Sequence, residues 1–136
     1  MELGILDNME EIYKKYSDSL IFKLSGNNPK NVTFSAIVEA ANSKDKIAIE
    51  LLNKAGNDLG KKIAFLVNLL NPQVVTIGGG IEKAGSFLFE PLKKTVREWA
   101  FGEVVRVLKI VPAQLAENAV PLGAASVVVQ KYFEQI

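Results

Sequence analysis

The chain has 136 residues, a formal net charge of +1 and 49% hydrophobic residues, with neither cysteine nor histidine. That is enough for one domain with a packed core, and it excludes disulfides, Cys- or His-ligated metal within the chain and any Ser-His-Asp triad. Acids and bases are interspersed without a dense basic stripe, which argues against nucleic-acid binding by this segment, and no apolar run reaches membrane-spanning length. The first residues lack the charged and apolar regions of a signal peptide, so the expected compartment is the cytoplasm, with no membrane partner.

Residues 9–23 read as helical, with Ile12, Tyr13, Tyr16, Leu20 and Phe22 as apolar anchors. A polar run, Ser25-Gly26-Asn27-Asn28-Pro29-Lys30-Asn31, is rich in turn formers and reads as a linker. The expected division is therefore an N-terminal helix and linker over 1–31 and a main body over 32–136. Thr33 is a good N-cap for a short helix over 34–41. Asn42-Ser43-Lys44-Asp45 interrupts it, and Asp45 or Ser43 is placed to cap the next helix.

That next helix is the clearest element. Ala48, Leu51, Leu52, Ala55, Leu59, Ile63, Leu66, Val67 and Leu70 recur at three- and four-residue spacing, which predicts a helix over about 45–71. Gly56 and Gly60 lie inside it, each costing about 1 kcal/mol of helix propensity. Four residues apart, they share one face. Such a face suits close helix packing, the plainer reading, or close approach of the backbone to a ligand. Pro72 ends the helix.

Val74-Val75-Thr76-Ile77 is a β-branched run typical of a buried strand, and Gly78-Gly79-Gly80 follows at once. Helical spacing returns over 83–100, where Pro91 predicts a kink or a break. Residues 104–111 form a second strand candidate, closed by Pro112. A loop over 117–121 and a final apolar helix over 122–133 complete the chain. Strand, helix and strand at this spacing suit a parallel crossover. Two parallel strands alone leave an open sheet edge, so further strands or a partner are expected to complete the sheet.

A strand running into glycines and then a helix is a candidate nucleotide or phosphate turn, because glycine lets the backbone approach the ligand closely. The named phosphate motifs do not fit. The dinucleotide pattern needs glycine where Lys83 stands, and the P-loop's Gly-Lys-Ser/Thr is absent. A tight strand-to-helix turn is the equal alternative. Glu82 and Lys83 read as a solvated helix start, and Glu117 and Asn118 as caps of the last helix. Phe89, Trp99 and Phe101 read as core or interface residues.

The stretch Leu69-Leu70-Asn71-Pro72-Gln73-Val74-Val75-Thr76-Ile77-Gly78-Gly79-Gly80 resembles the ROK family of bacterial sugar kinases and sugar-responsive repressors. Ala55-Gly56-Asn57-Asp58-Leu59-Gly60 resembles that family's Ala-Gly-x-x-Leu-Gly, and Pro121-Leu122-Gly123-Ala124-Ala125 its terminal Gly-Ala-Ala helix. The resemblance spans about 32–133. It implies an α/β chain forming part of the C-terminal lobe of an actin-like ATPase (ribonuclease H-like) fold, helix-rich with a small parallel sheet. It also implies that Gly78, Gly79 and Gly80 lie against a nucleotide.

The departures bear on activity. The family's kinases have an N-terminal lobe with a phosphate-contacting Gly-rich hairpin and an Asn-Asp pair whose Asp is the general base. Neither is recognisable, so no catalytic residue is assigned and the chain alone is not expected to phosphorylate sugar. The family's His and Cys zinc cluster has no counterpart, so zinc is not expected. Gly4-Ile5-Leu6-Asp7 faintly resembles the end of that cluster, which would put Ile5 at a zinc-ligand position and Asp7 at the sugar-contacting carboxylate.

Val107 to Ala119 contains Ile110-Val111-Pro112-Ala113-Gln114-Leu115, which resembles the repressors' Ile-Val-Pro-Ser-x-Leu, and residues 89–98 follow their pattern too. On that lean the resemblance implies the C-terminal effector and oligomerisation half of a sugar-responsive repressor. Such a protein would meet DNA only through an N-terminal domain absent here. The alternatives are the nucleotide lobe of an ATP- and Mg-dependent sugar kinase and a stand-alone dimerising module. The expected partners are a sugar, met through the other half, and further copies of the chain.

Overall fold

The computed structural model describes residues 4–114 together with 122, 123, 125 and 126. Six helices and two strands follow one another: α1 (Met9–Tyr16), α2 (Leu20–Leu24), α3 (Phe34–Asn42), α4 (Lys46–Leu70), β1 (Val74–Ile77), α5 (Ser86–Trp99), α6 (Gly102–Val107) and β2 (Lys109–Pro112). Short 3-10 turns precede α1, α3 and α5.

The starts of these helices are set by side-chain caps. Thr33 Oγ1 accepts from the Ala36 N–H at 3.2 Å, as its position before α3 predicts. Asp45 caps α4, its Oδ1 accepting from the N–H groups of Ile47 and Ala48 at 2.9 and 3.0 Å. Its second oxygen reaches back 25 residues to the Leu20 N–H, at 2.7 Å, and takes the Ser19 hydroxyl at 3.0 Å. One carboxylate thus holds the first turns of two helices. Burial pushes the Asp45 carboxyl up, but the hydrogen bonds from Ala48, Leu20, Ser19 and Ile47 outweigh it and hold it below the usual carboxylate range.

The predicted helix over 9–23 is two helices. Its chain breaks at Ser17 to Ser19, where Ser19 turns extended and caps α2 through the Ile21 N–H. The break brings Tyr13 over Phe22, rings edge to face with centroids 4.9 Å apart, and sinks Ile21 and Phe22 completely. Ile5, Met9, Ile21 and Phe22 join the same apolar core as Ile37, Leu52 and Leu88.

The 25-residue α4 is the axis of the fold, packed lengthwise against α5. Its end matches the sequence reading: Asn71 takes a left-handed conformation and returns its N–H to Val67 O, and Pro72 follows. Gly56 and Gly60 are the contact points. A Cβ on Gly56 would stand 2.4 Å from Leu88 O and 2.8 Å from Pro91 Cγ. One on Gly60 would stand 2.8 Å from both Leu92 O and Thr95 Cβ. Helix packing, not a ligand, explains both glycines. Pro91 does not break α5, contrary to expectation. It lies inside the helix, with its ring against Gly56, which has no side chain to meet it.

The second strand is shorter than predicted. Residues 104–107 lie in α6, because one helical turn lets Val104 face the core and accept the Leu108 N–H, overriding the β-branched propensity of the run. β2 then pairs in parallel with β1, Val74 opposite Lys109 and Ile77 opposite Pro112. Pro112 is its last residue rather than a stop after it. Among the described residues this is a two-stranded sheet.

Asn68 ties the far end of α4 to the α5–α6 corner. Its Nδ2 donates to Trp99 O at 3.3 Å, and its Oδ1 accepts from the Phe101 N–H at 2.9 Å. Asn68→Ala is expected to lower stability by about 1–1.5 kcal/mol, read from urea unfolding. Lys61→Ala, which removes a cation 5.6 Å from the Trp99 ring centroid and an exposed ion pair with Asp58, should cost less than about half of that. Equal losses would mean the amide bridge contributes nothing of its own.

Phe89 is core, whereas Trp99 and Phe101 are 60% and 68% exposed. Leu122, Gly123, Ala125 and Ser126 are helical; the rest of the last predicted helix, the loop over 117–121, and Glu117 and Asn118 lie outside the described residues. Among the described residues no helix is long and apolar enough to cross a membrane.

Candidate functional site: a glycine turn closed by a carboxylate

β1 carries the chain upward with Ile77 buried against the helices, and the Ala113 N–H continues the pairing by donating to Ile77 O at 2.8 Å. The three glycines then do different work. Gly78 is packed: a Cβ there would meet the Ala113 Cβ at 2.8 Å, so the strand exit leaves room for hydrogen only. Gly79 and Gly80 are conformational, with φ of +82° and +91°. A Cβ on either would meet nothing within 4 Å among the described residues, which leave the turn open. The sequence marks all three alike; the structure leaves Gly79 and Gly80 as the pair able to approach a ligand.

The turn is closed by Glu82. Its Oε2 accepts from the Gly80 N–H at 2.9 Å, while its Oε1 is buried with no hydrogen-bond partner among the described residues. This corrects the expectation of a solvated Glu82. A Glu two residues beyond a left-handed glycine is within reach of that glycine's N–H, which is the signal the sequence carried. Lys83 is exposed, and its N–H donates to Gly80 O at 3.3 Å. Ala84 is buried, and Gly85, with φ of +53°, starts α5 by accepting from Leu88 and Phe89.

This geometry limits what the turn can hold. A phosphate at the Gly80 amide would compete with a carboxylate and be repelled by it. The turn therefore fits the sugar or base of a nucleotide better than its phosphates. Among the described residues there is no group of three or more side chains able to hold a metal ion.

Asp7 is exposed on the 3-10 turn Leu6–Asn8, and no hydrogen bond or ion pair joins it to the glycine turn. Ile5, beside it, is a core residue. A small cleft of about 80 Å³ opens nearby, lined by Ile5, Asn8, Leu51, Lys54 and Asp58 among others, and Asp7 is not in its wall.

A helix-rich body, a short parallel pair and a strand–glycine–helix turn make up part of the C-terminal lobe of an actin-like ATPase (ribonuclease H-like) fold. The ROK family profile matches residues 11–131, and the chain belongs to the ROK family. It is 34% identical over 123 residues to the glucokinase of Thermotoga maritima, covering 90% of this chain and 38% of that protein. It is 32% identical over 96 residues to the Escherichia coli transcriptional regulator NagC, covering 71% of this chain and 23% of that one. The fold is shared with a ROK glucokinase from Streptomyces griseus solved with glucose and AMPPNP (TM-score 0.76, 24% identity, 90% of this chain and 40% of that one). It is shared too with a ROK transcriptional regulator homologous to E. coli MLC (TM-score 0.71, 26% identity, 82% and 27%). The chain thus spans less than half the length of each of these relatives.

Proposed function

We propose that this chain is the nucleotide-side segment of a ROK sugar kinase, and that Gly79 and Gly80 form the surface against which the nucleotide lies. The observation that carries the reading is the open, left-handed turn at the end of β1, where a side chain would meet none of the described residues. The 90% span of the likeness to the Thermotoga glucokinase supports the same branch, against 71% for NagC. ATP with Mg2+ is then the phosphoryl donor, and the sugar and the general base are supplied outside this segment. What the segment's own residues do is bind and orient: Gly78 fixes the strand exit, Gly79 and Gly80 admit the nucleotide, and Glu82 holds the turn by accepting from the Gly80 N–H.

The experiment is a titration of the 15N-labelled chain with MgADP, followed at the amides of residues 77–82. Saturable shifts are expected there, and Gly79→Val should weaken binding at least tenfold. The added side chain meets none of the described residues but is strained at a φ of +82°, so the loss reports disruption of the turn as well as space taken by the ligand. No saturable binding by a folded chain, or unchanged affinity in Gly79→Val, would overturn the assignment.

The second reading is the effector and oligomerisation half of a sugar-responsive repressor. It is supported by residues 107–115 and by the likeness to NagC and Mlc. It predicts no nucleotide binding at the turn. Association between copies, with Phe65, Leu69, Trp99 and Phe101 as exposed apolar groups, is checked by sedimentation of the purified chain.

A further inference from the structure

A second concave site lies away from the glycine turn, between α5, α6 and β2. It is a cavity of about 360 Å³, within the range of small-molecule sites. Its apolar lining includes Val96, Val105 and Leu108, and its polar lining is Lys93, Arg97 and Lys109. Two elements bring the cations together. Lys93 and Arg97 are four residues apart on α5 and so share a helix face, and Lys109 opens β2 beside them.

None of the three cations makes an ion pair among the described residues, whose salt bridges join Lys30 to Glu10 and Lys61 to Asp58. The surrounding sequence is also biased. Residues 93–109 hold five bases (Lys93, Lys94, Arg97, Arg106, Lys109) and two acids (Glu98, Glu103), a net +3 in a chain whose total is +1. Uncompensated positive charge is thus concentrated where the surface is concave and its floor apolar.

We propose that this cavity binds a small organic phosphate monoester, with the phosphate among Lys93, Arg97 and Lys109 and the apolar or ring portion over Val96, Val105 and Leu108. A phosphate monoester carries about −1.5 to −2 charges near neutral pH, which matches several cations better than a single carboxylate does. The guanidinium of Arg97 offers paired donors suited to phosphate oxygens. The apolar floor separates this ligand from inorganic phosphate, which has nothing to place there. No residue of the Gly78 to Glu82 turn lines the cavity, so the site stands or falls independently of the nucleotide reading.

The test titrates the 15N-labelled 136-residue chain with phenyl phosphate, inorganic phosphate and benzyl alcohol, following backbone amide shifts. Phenyl phosphate is expected to give saturable shifts confined to residues 93–97 and 105–111. It should bind at least fivefold more tightly than inorganic phosphate, and benzyl alcohol should not saturate. Arg97→Gln and Lys109→Gln each should weaken phenyl phosphate at least fivefold with an unchanged melting temperature, since both side chains are exposed. Equal affinity for the two phosphates, shifts spread over other surface cations, or full affinity in both variants would overturn the proposal. A glutamate hexapeptide that displaces phenyl phosphate at equal concentration would overturn it in favour of an acidic peptide site.

Discussion

Gly56→Ala is expected to destabilise the fold by about 2–3 kcal/mol, although alanine is the better helix former. On an isolated helix the exchange would gain about 1 kcal/mol. Here the new methyl group would lie 2.4 Å from Leu88 O and 2.8 Å from Pro91 Cγ. A backbone oxygen inside α5 cannot step aside as a side-chain tip can, so the whole of α5 must move outward. That opens the interface that buries Leu52, Leu88 and Leu92. Gly60→Ala meets Leu92 O and Thr95 Cβ at 2.8 Å and should cost about half as much.

Because both substitutions separate the same two helices, the double variant should lose less than the sum of the single losses. Urea unfolding with an unchanged slope is the measurement. A neutral or stabilised Gly56→Ala would show that α4 and α5 are not held at this spacing. α5 begins where the glycine turn ends, so the variant should also weaken MgADP if the turn binds it.

Asp45→Ala is expected to cost about 2–3 kcal/mol, more than the loss of a single helix cap. The substitution removes two hydrogen bonds from the start of α4 and two from the start of α2. Asp45→Asn separates the contributions. Its remaining carbonyl oxygen can still cap α4, but its amide nitrogen cannot accept from the Leu20 N–H, so about half of the loss should return. The pH dependence follows from the lowered carboxyl. Its folded-state pKa lies below the unfolded value, so the stabilisation is complete above about pH 4 and fades as pH falls through the folded value. Asp45→Asn should lack this component, and its stability difference from the parent chain should shrink below pH 4. A difference independent of pH between 2 and 6 would show that the carboxylate's charge plays no part.

Much of the fold was legible because its signals are local. The three- and four-residue spacing from Ala48 to Leu70, the cap at Asp45 and the Asn71-Pro72 stop fixed α4 nearly to the residue. The β-branched run and triple glycine marked β1 and its turn. Other features were not read from the sequence. Residues 104–107 read as strand because their side chains are β-branched, yet contact with the core placed them in α6. Pro91 read as a kink or a break, yet α5 runs on through it, its ring lying against Gly56 of another helix. Glu82 read as solvated, yet the turn folded its carboxylate onto the Gly80 amide.

By itself, then, the sequence determined which segments are helix or strand wherever periodicity and capping act within a few residues, and which family they belong to. The tertiary structure alone decided that Asp45 serves two helices, that Gly56 and Gly60 set the spacing between α4 and α5, and that no described residue stands where a side chain on Gly79 or Gly80 would project. It also assembled Lys93, Arg97 and Lys109 over an apolar floor. These are relations between residues distant in the chain, and hydrogen bonds and packing at such distances leave no periodic trace in the order of the amino acids.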